Sequence, residues 1–177
     1  YTYMQPVSLD TVPDLFQNLL IWKEDRTFHR NFGVALPSKL KLAWELVTTG
    51  RWSRGGSTIT EQWIKNKYFP DADRTFLQKI REMALAVTFS FTTSKEVILE
   101  EYINHIYFGE LAYGIHTASQ LYFDKYAPEL NPTEQIFLLS LISNPSALNS
   151  PDYDFPSFKK RYLCLLYTSD AADDDVR

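Results

Sequence analysis

The strongest constraint on the fold is a set of helix-start signals, each followed by apolar residues at helical spacing. Thr58–Glu61 (TITE) and Thr93–Glu96 (TSKE) have the form of a capping box, in which the first and fourth side chains satisfy free backbone N–H groups. Asn131–Glu134 (NPTE) supplies a cap, a proline at the first helical position and an acid in order. Alternating strand patterns are few, so these signals predict a mostly α chain.

The spacing of apolar residues predicts the individual helices. The residues of Phe76–Phe91 are apolar on most sides from Met83 onward, which predicts a buried central helix. The predicted helices are Val12–Trp22, a helix through Leu40 and Val47 ending near Gly50, Thr58–Asn66, Phe76–Phe91, a helix after Glu96 along Ile98–Tyr107, and a helix from Asn131 that stops before Asn144.

Composition excludes several classes of protein. The 177 residues are 45% hydrophobic and 23% charged, which is typical of a folded globular domain. The net charge of −4 argues against nucleic acid as a partner. A single Cys excludes a disulfide framework, and the three His lack the spacing of metal ligands, so we predict no protein metal site. No apolar run is long enough to predict a membrane-spanning helix.

Both ends of the sequence suggest a fragment. The chain begins at Tyr1 rather than Met, so we expect a missing upstream segment. Cys164–Arg177 (CLLYTSDAADDDVR) looks like the translation of a sequencing-library adapter, with a natural acidic tail as the alternative. We therefore expect residues 1–163 to form the native domain and residues 164–177 to be non-native.

Two acidic positions are candidates for chemistry. Glu24 and Asp25 directly follow an apolar helix face, where they are either a solvated helix end or a partly buried acid–base group. Glu82 enters the most apolar helix, where an acid is costly unless it is paired or functional. Two carboxylates from different helices that face one cleft would suit sugar-transfer chemistry. The sequence leaves open whether these acids face each other.

A Gly-Gly turn before a capped helix is a candidate phosphate site. Arg54–Thr58 leads into the helix with free N–H groups, although the spacing is not that of a P-loop. Gln62, Lys65 and Asn66 share one face of that helix. This face is either a grip for a sugar phosphate or a solvated surface.

Taken together, these segments resemble the peptidoglycan glycosyltransferase domain, glycosyltransferase family 51, found in class A penicillin-binding proteins and monofunctional transglycosylases. The resemblance implies a mostly α, lysozyme-like fold with a large lobe and a small membrane-proximal jaw. A helix with Glu134, and then Arg161, follow in family order. The matching segments are Glu24–Gly33 (EDRTFHRNFG), Gly55–Asn66 (GGSTITEQWIKN), Gln78–Glu82 (QKIRE), Ser94–Gly109 (SKEVILEEYINHIYFG) and Tyr113–Lys125 (YGIHTASQLYFDK).

The resemblance also implies a reaction. Family members polymerise lipid II into glycan strands with inversion and release undecaprenyl diphosphate, at the outer (periplasmic or extracytoplasmic) face of the bacterial cytoplasmic membrane. It implies lipid II, the growing glycan strand and that membrane as partners, an N-terminal anchor, and a C-terminal transpeptidase domain in a bifunctional parent. It implies no organic cofactor, although some members use Mg²⁺ or Mn²⁺. A lysozyme-like glycan hydrolase and a non-catalytic lipid II binding module are the alternatives.

The resemblance assigns roles to individual residues. Glu24 matches the general base that takes the proton from the acceptor 4-hydroxyl, and Glu82 matches the second family acid. Two departures stand out, since the family usually has His at Asn31 and Gln at Glu61. Glu61 either places a negative charge near the diphosphate or points away as a helix cap. The implied substrate-binding residues are Asp25, Phe28, Gly55, Gly56, Ser57, Thr58, Gln62, Lys65, Asn66, Lys79 and Arg81.

Overall fold

A computed structural model describes residues 5–50, 56–70, 75–143, 145, 159–160 and 162–168. The prediction of a mostly α chain is confirmed. The helical content of the described residues is consistent with the expected lysozyme-like fold. Across these ranges there is no β-strand, and Tyr107 and Tyr113 form an isolated bridge. Residues 162–168 are also helical. The helices are α1 (Asp14–Glu24), α2 (Leu36–Thr49), α3 (Ile59–Tyr68), α4 (Phe76–Thr92), α5 (Lys95–His105), α6 (Ile115–Phe123) and α7 (Pro132–Leu141).

The chain divides into two compact units. Lys23–Tyr102 forms one unit, called the site unit below, and it contains every candidate site residue. Tyr1–Trp22 and Ile103–Arg177 form the second unit. Helices α1 and α5 each carry the chain from one unit into the other.

The second unit has an apolar core typical of a small helical domain. Phe16 and Leu20 of α1 are completely buried in it, as are Ile136 and Leu139 of α7. The predicted cap of α7 is confirmed, because Asn131 Oδ1 accepts the backbone N–H of the acid three residues later at 2.9 Å. Helix α6 was not predicted from apolar spacing.

Local capping signals also explain the helix starts of the site unit. Thr58 and Glu61 form the predicted capping box of α3, with bonds of 3.1 and 2.9 Å. The predicted box at Thr93 is wrong, because Thr93 ends α4 by donating its backbone N–H to Phe89 O at 2.8 Å. Ser94 takes the capping position instead, and its Oγ accepts from the backbone N–H of α5 at 3.4 Å. Two adjacent hydroxyl residues explain the shift by one position.

The prediction that α4 is a buried central helix is wrong. Its buried residues are Gln78, Glu82 and Ala86, two of them polar. Apolar periodicity reports that a helix avoids water, but it does not show that protein covers every face. The large apolar side chains of α4 that lie exposed are Phe76, Leu77, Ile80, Val87 and Phe91.

A close approach of backbones fixes the loop between α1 and α2. Gly33 has a φ of +82°, and a Cβ added there would lie 2.2 Å from the carbonyl oxygen of Ala86 in α4. Only glycine fits both the conformation and the space. The loop that follows Glu24 therefore packs directly on α4.

Two further findings concern the membrane and the C-terminal residues. No helix in the described part of the chain combines the length and apolarity that crossing a bilayer requires. Leu165 is only 3% exposed, so this side chain is covered by protein, whereas Cys164 and Tyr167 are exposed. Packing does not reveal whether a segment is native, and the non-native origin of residues 164–177 stays a prediction.

Candidate active site

Glu24, the last residue of α1, is held by donors on both oxygens. Lys23 Nζ donates to Oε1 and Gln62 Nε2 donates to Oε2, the latter at 3.1 Å. The two contacts together fix the orientation of the carboxylate. The side chain is only 16% exposed, which fits a partly buried acid–base group rather than a fully solvated helix end.

Tyr102 fixes the orientation of Gln62. Its hydroxyl donates to Gln62 Oε1 at 3.0 Å, which turns the amide nitrogen toward Glu24. Burial, reinforced by the negative charge of Glu24, raises the pKa of the Tyr102 phenol well above its ordinary value. The phenol therefore stays protonated and remains a donor. A three-residue chain from α5 through α3 thus positions the candidate base.

Asp25 is occupied by donors from the protein. Its Oδ1 accepts from the backbone N–H and hydroxyl of Thr27 at 3.1 and 2.8 Å. Its Oδ2 accepts from Asn31 Nδ2 at 2.8 Å and from the backbone N–H of Ile59, the first residue of α3, at 3.3 Å. Asp25 therefore ties the loop to α3, and this arrangement favours support of the turn over direct contact with substrate.

Asn31 and Lys95 complete the support of this loop. Asn31 Oδ1 accepts from the backbone N–H of Gly33 at 3.0 Å and from Lys95 Nζ at 3.2 Å. Lys95 also donates to Asn31 O at 2.8 Å and lies 4.9 Å from the ring centre of Phe28. Burial lowers the pKa of Lys95, and the carboxylate of Asp25 partly opposes the shift. Phe28 is completely buried, a position that suits packing under the loop better than contact with substrate.

Glu61 points into the protein rather than toward a ligand. It is 0% exposed, and beyond its capping contacts it pairs with two lysines. Lys39 Nζ lies 3.0 Å from Oε2, and Lys79 Nζ lies 3.2 Å from Oε1. The helix-cap alternative is the one realised. Lys39 was missed by sequence reasoning, since nothing in the apolar pattern of α2 marks it as a partner of α3.

Glu82, the second candidate acid, is buried and paired. Lys79 Nζ lies 3.2 Å from Glu82 Oε2 and 3.1 Å from Ser57 Oγ. The cost of burying an acid in α4 is therefore offset by an ion pair one helical turn away. Because Lys79 also contacts Glu61, both candidate acids connect to neighbouring positions of α3: Glu24 through Gln62, and Glu82 through Lys79 and Glu61.

The other predicted substrate-binding residues lie around the start and outer face of α3 or on α4. Thr58 Oγ1 donates to Gly33 O at 2.6 Å, so this hydroxyl joins α3 to the loop after Glu24. Gly55 lies outside the described residues. Gly56, Asn66 and Arg81 are exposed, and Lys65 is half-buried.

The acids of this region do not form a resident metal site. Among the residues that the structure describes, no group of three or more His, Cys, Asp or Glu side chains converges. Glu24, Glu61 and Glu82 each already face a lysine ammonium. The residues therefore do not fit a protein-bound Mg²⁺ or Mn²⁺. Use of such a cation by this chain stays a prediction.

Comparison with known proteins identifies relatives that match most of this chain. A family model described as Transglycosylase matches residues 1–169. The chain is 36% identical over 159 residues to penicillin-binding protein 1A of Aquifex aeolicus, covering 90% of this chain and 22% of that protein. It is 38% identical over 144 residues to penicillin-binding protein 1A of Pseudomonas aeruginosa, covering 81% and 17%. It is 35% identical over 142 residues to penicillin-binding protein 1F of Bacillus subtilis, covering 80% and 20%. The chain spans about a fifth of the length of these relatives.

Proposed function

The chain belongs to the transglycosylase family, and on that premise we propose that it polymerises lipid II into glycan strands and releases undecaprenyl diphosphate, with Glu24 as the general base. The observation that carries the proposal is the hydrogen bond of 3.1 Å from Gln62 Nε2 to Glu24 Oε2. It fixes a partly buried carboxylate in one orientation, as a positioned base requires.

The reaction needs a proton acceptor on the sugar that attacks. In the proposed step, Glu24 takes the proton of the acceptor 4-hydroxyl. The oxygen of that hydroxyl bonds at the same time to the anomeric carbon of the donor. The bond from that carbon to the diphosphate oxygen breaks on the opposite face, which inverts the centre. The donors from Lys23 and Gln62 hold the carboxylate of Glu24 in place during proton transfer.

The leaving diphosphate needs fixed positive charge. At the start of α3, Lys79 lies against the Ser57 hydroxyl, and its ammonium supplies such a charge. Lys65 follows on the outer face of the same helix. Preorganised donors of this kind stabilise charge that develops as the bond breaks. We propose that this region binds the donor diphosphate, and that Glu82 holds Lys79 in place for it.

An apolar surface on α2 supports a membrane partner. Leu36, Leu40 and Trp44 recur every four residues and are all exposed, with Trp44 at 70%. A stripe of this kind is costly in water and favours an interfacial apolar surface. We propose that it contacts the outer face of the cytoplasmic membrane, where lipid II resides. We also propose a membrane-anchored parent with a transpeptidase region, since the relatives are several times longer than this chain.

Polymerisation of labelled lipid II in detergent tests the function. The wild type and Glu101→Gln should form glycan ladders, because Glu101 is an acid of the same unit that pairs with Lys67 outside the site. Glu24→Gln should lower the rate by about a thousandfold, since it removes the base and keeps the shape.

Two outcomes would contradict the proposal. Cleavage of preformed glycan without polymerisation would identify a hydrolase. Binding of lipid II with equal affinity by wild type and Glu24→Gln, and no product from either, would identify a binding module.

A further inference from the structure

Lys39 of α2 contacts the start of α3 at two points. Its Nζ lies 3.0 Å from Glu61 Oε2 and donates to the backbone carbonyl of Gly56 at 2.8 Å. The carboxylate of Glu61 has no exposed surface. A buried carboxylate without partners would be strongly destabilising. Lys39 is therefore one of the two cations that make Glu61 tolerable in this position.

Glu61 divides its charge between two lysines. Oε2 faces Lys39 and Oε1 faces Lys79 at 3.2 Å, while Lys79 also reaches Ser57 and Glu82 at 3.1 and 3.2 Å. Without Lys39, Lys79 would be the one described lysine left against Glu61, beside the capping contacts with Thr58. The attraction would draw Lys79 toward Glu61 and away from Ser57 and Glu82, because Glu61 is the more completely buried of the two acids.

We propose that Lys39 is a positioning residue of the transferase site and that Glu61 and Lys39 act as one charge-matched pair. Lys39 balances part of the Glu61 charge, which leaves Lys79 shared between Ser57 and Glu82. It also fixes the turn at Gly56. This inference rests on the proposed function and adds to it a residue that touches no substrate.

The pairing of Lys39 with Glu61 explains why this chain tolerates a glutamate at position 61. A glutamine at this position, which the family resemblance marks as usual, would leave the ammonium of Lys39 partly buried without its carboxylate. The substitution Glu61→Gln is therefore unfavourable in this chain unless Lys39 also loses its charge. An uncharged pair should be tolerated, because removal of both partners leaves no buried charge uncompensated.

A double-mutant cycle in the full chain tests this dependence. It compares wild type, Lys39→Met, Glu61→Gln and the double variant, with kcat and KM for lipid II polymerisation and direct lipid II binding as readouts. Each single variant should raise KM and weaken binding about tenfold with kcat within about threefold, and the double variant should return to within about threefold of wild type. Lys39→Arg keeps the charge and should also stay within about threefold.

The matched control is the pair of Lys67 and Glu101 in the same unit, whose side chains are both more exposed than those of Lys39 and Glu61. Lys67→Met, Glu101→Gln and their double variant should each change KM by less than about twofold. A merely structural role for Lys39 would reduce the fraction of active protein, so kcat would fall while KM stayed constant. That result would overturn the proposal.

The remaining outcomes are also decisive. Single variants with wild-type KM, or a double variant no better than the worse single variant, would overturn the charge-matched pair. If Glu61→Gln does not fold, the test compares lipid II binding by Lys39→Met with binding by the double variant. Charge matching requires that adding Glu61→Gln to Lys39→Met improves this binding. A wild type that binds lipid II without polymerising it would overturn the proposed function alone, while the binding cycle would still decide the role of Lys39. A wild type that does neither would overturn both.

Discussion

Asn31 Nδ2 lies 2.8 Å from Asp25 Oδ2 and 3.1 Å from Asp25 Oδ1, so one amide group donates to both oxygens of the acid next to the candidate base. The other end of the amide accepts from Gly33 and Lys95. The loop after Glu24 therefore depends on a side chain that both donates and accepts. A neutral amide does this at any pH, which shows how the site can keep its loop ordered without a histidine at this position.

Asn31→Asp should destabilise the protein. The substitution keeps the shape but turns a donor toward Asp25 into a second carboxylate oxygen. We expect the free energy of unfolding to fall by about 2–4 kcal/mol, measured by urea denaturation at pH 7. Asn131→Asp is the matched control, because Asp caps a helix as well as Asn and should change stability by less than about 0.5 kcal/mol. An Asn31→Asp variant as stable as this control would contradict the role of the amide.

Tyr102→Phe should impair catalysis more than folding. The change removes the donor to Gln62 Oε1, so the amide no longer has a fixed orientation toward Glu24. We expect kcat/KM to fall about tenfold and the free energy of unfolding by about 1 kcal/mol. Tyr122→Phe removes a comparable bond, from its hydroxyl to Phe108 O at 3.0 Å in the second unit, and should leave kcat/KM unchanged. Equal kinetic losses in both variants would show that Tyr102 has no special link to the base.

Gly33→Ala and Gly50→Ala should separate strain from crowding. Both glycines have positive φ, +82° and +65°. A Cβ at Gly33 would overlap Ala86, whereas a Cβ at Gly50 would have no atom of the described residues within 4 Å. We expect Gly50→Ala to cost about 1 kcal/mol from backbone conformation alone, and Gly33→Ala to cost about 3 kcal/mol or more. Chemical denaturation measures both. Similar losses would mean that the loop can move off α4 freely.

Glu134→Gln should reduce the decrease in the free energy of unfolding between pH 7 and acid pH. A hydrogen bond from Lys125 at 2.6 Å, aided by the backbone N–H of Asn131 in the capping box, lowers the pKa of Glu134 below its ordinary value of 4.5. The unfolded chain then binds more protons near pH 4, so this group contributes stability above pH 4.5 that is lost as the pH falls through the folded pKa.

Urea denaturation at pH 7, 5, 4 and 3 measures this contribution. Glu134→Gln should be less stable than wild type at pH 7, and the difference should shrink at acid pH. Lys125→Met should show the same reduced pH dependence, because it removes the main cause of the shift. A constant difference across the series would assign the loss to packing instead.

Local signals in the sequence located three helix starts to within one residue. The caps at Thr58 and Asn131 appear as predicted, since a cap depends only on residues three or four positions apart, and the cap predicted at Thr93 lies at Ser94 instead. The burial of α4 could not be read in the same way. Its apolar residues indicate that part of the helix surface disfavours contact with water. They do not distinguish a surface buried in the protein core from one that its own chain leaves uncovered.

The residue types of the candidate site stood out in the sequence, but their contacts did not. Glu24 followed an apolar helix face, Glu82 entered an apolar helix, and Gln62 lay on a polar face of α3. The structure joins Glu24 directly to Gln62. Lys39 could not be found, because an ion pair between α2 and α3 is set by tertiary packing and leaves no periodic trace. Phe28 shows the converse, since a residue within a family motif can serve the interior.

Glu61 and Gln62 are consecutive residues of α3, yet one supports the lysine beside Glu82 and the other holds Glu24. For inhibitor design, this adjacency means that the positions of both candidate acids depend on α3. A compound that pushed aside the turn at Gly56 and Ser57 would disturb both acids at once. A resistant variant would have to rebuild contacts on two sides of one helix, so few single substitutions could provide an escape.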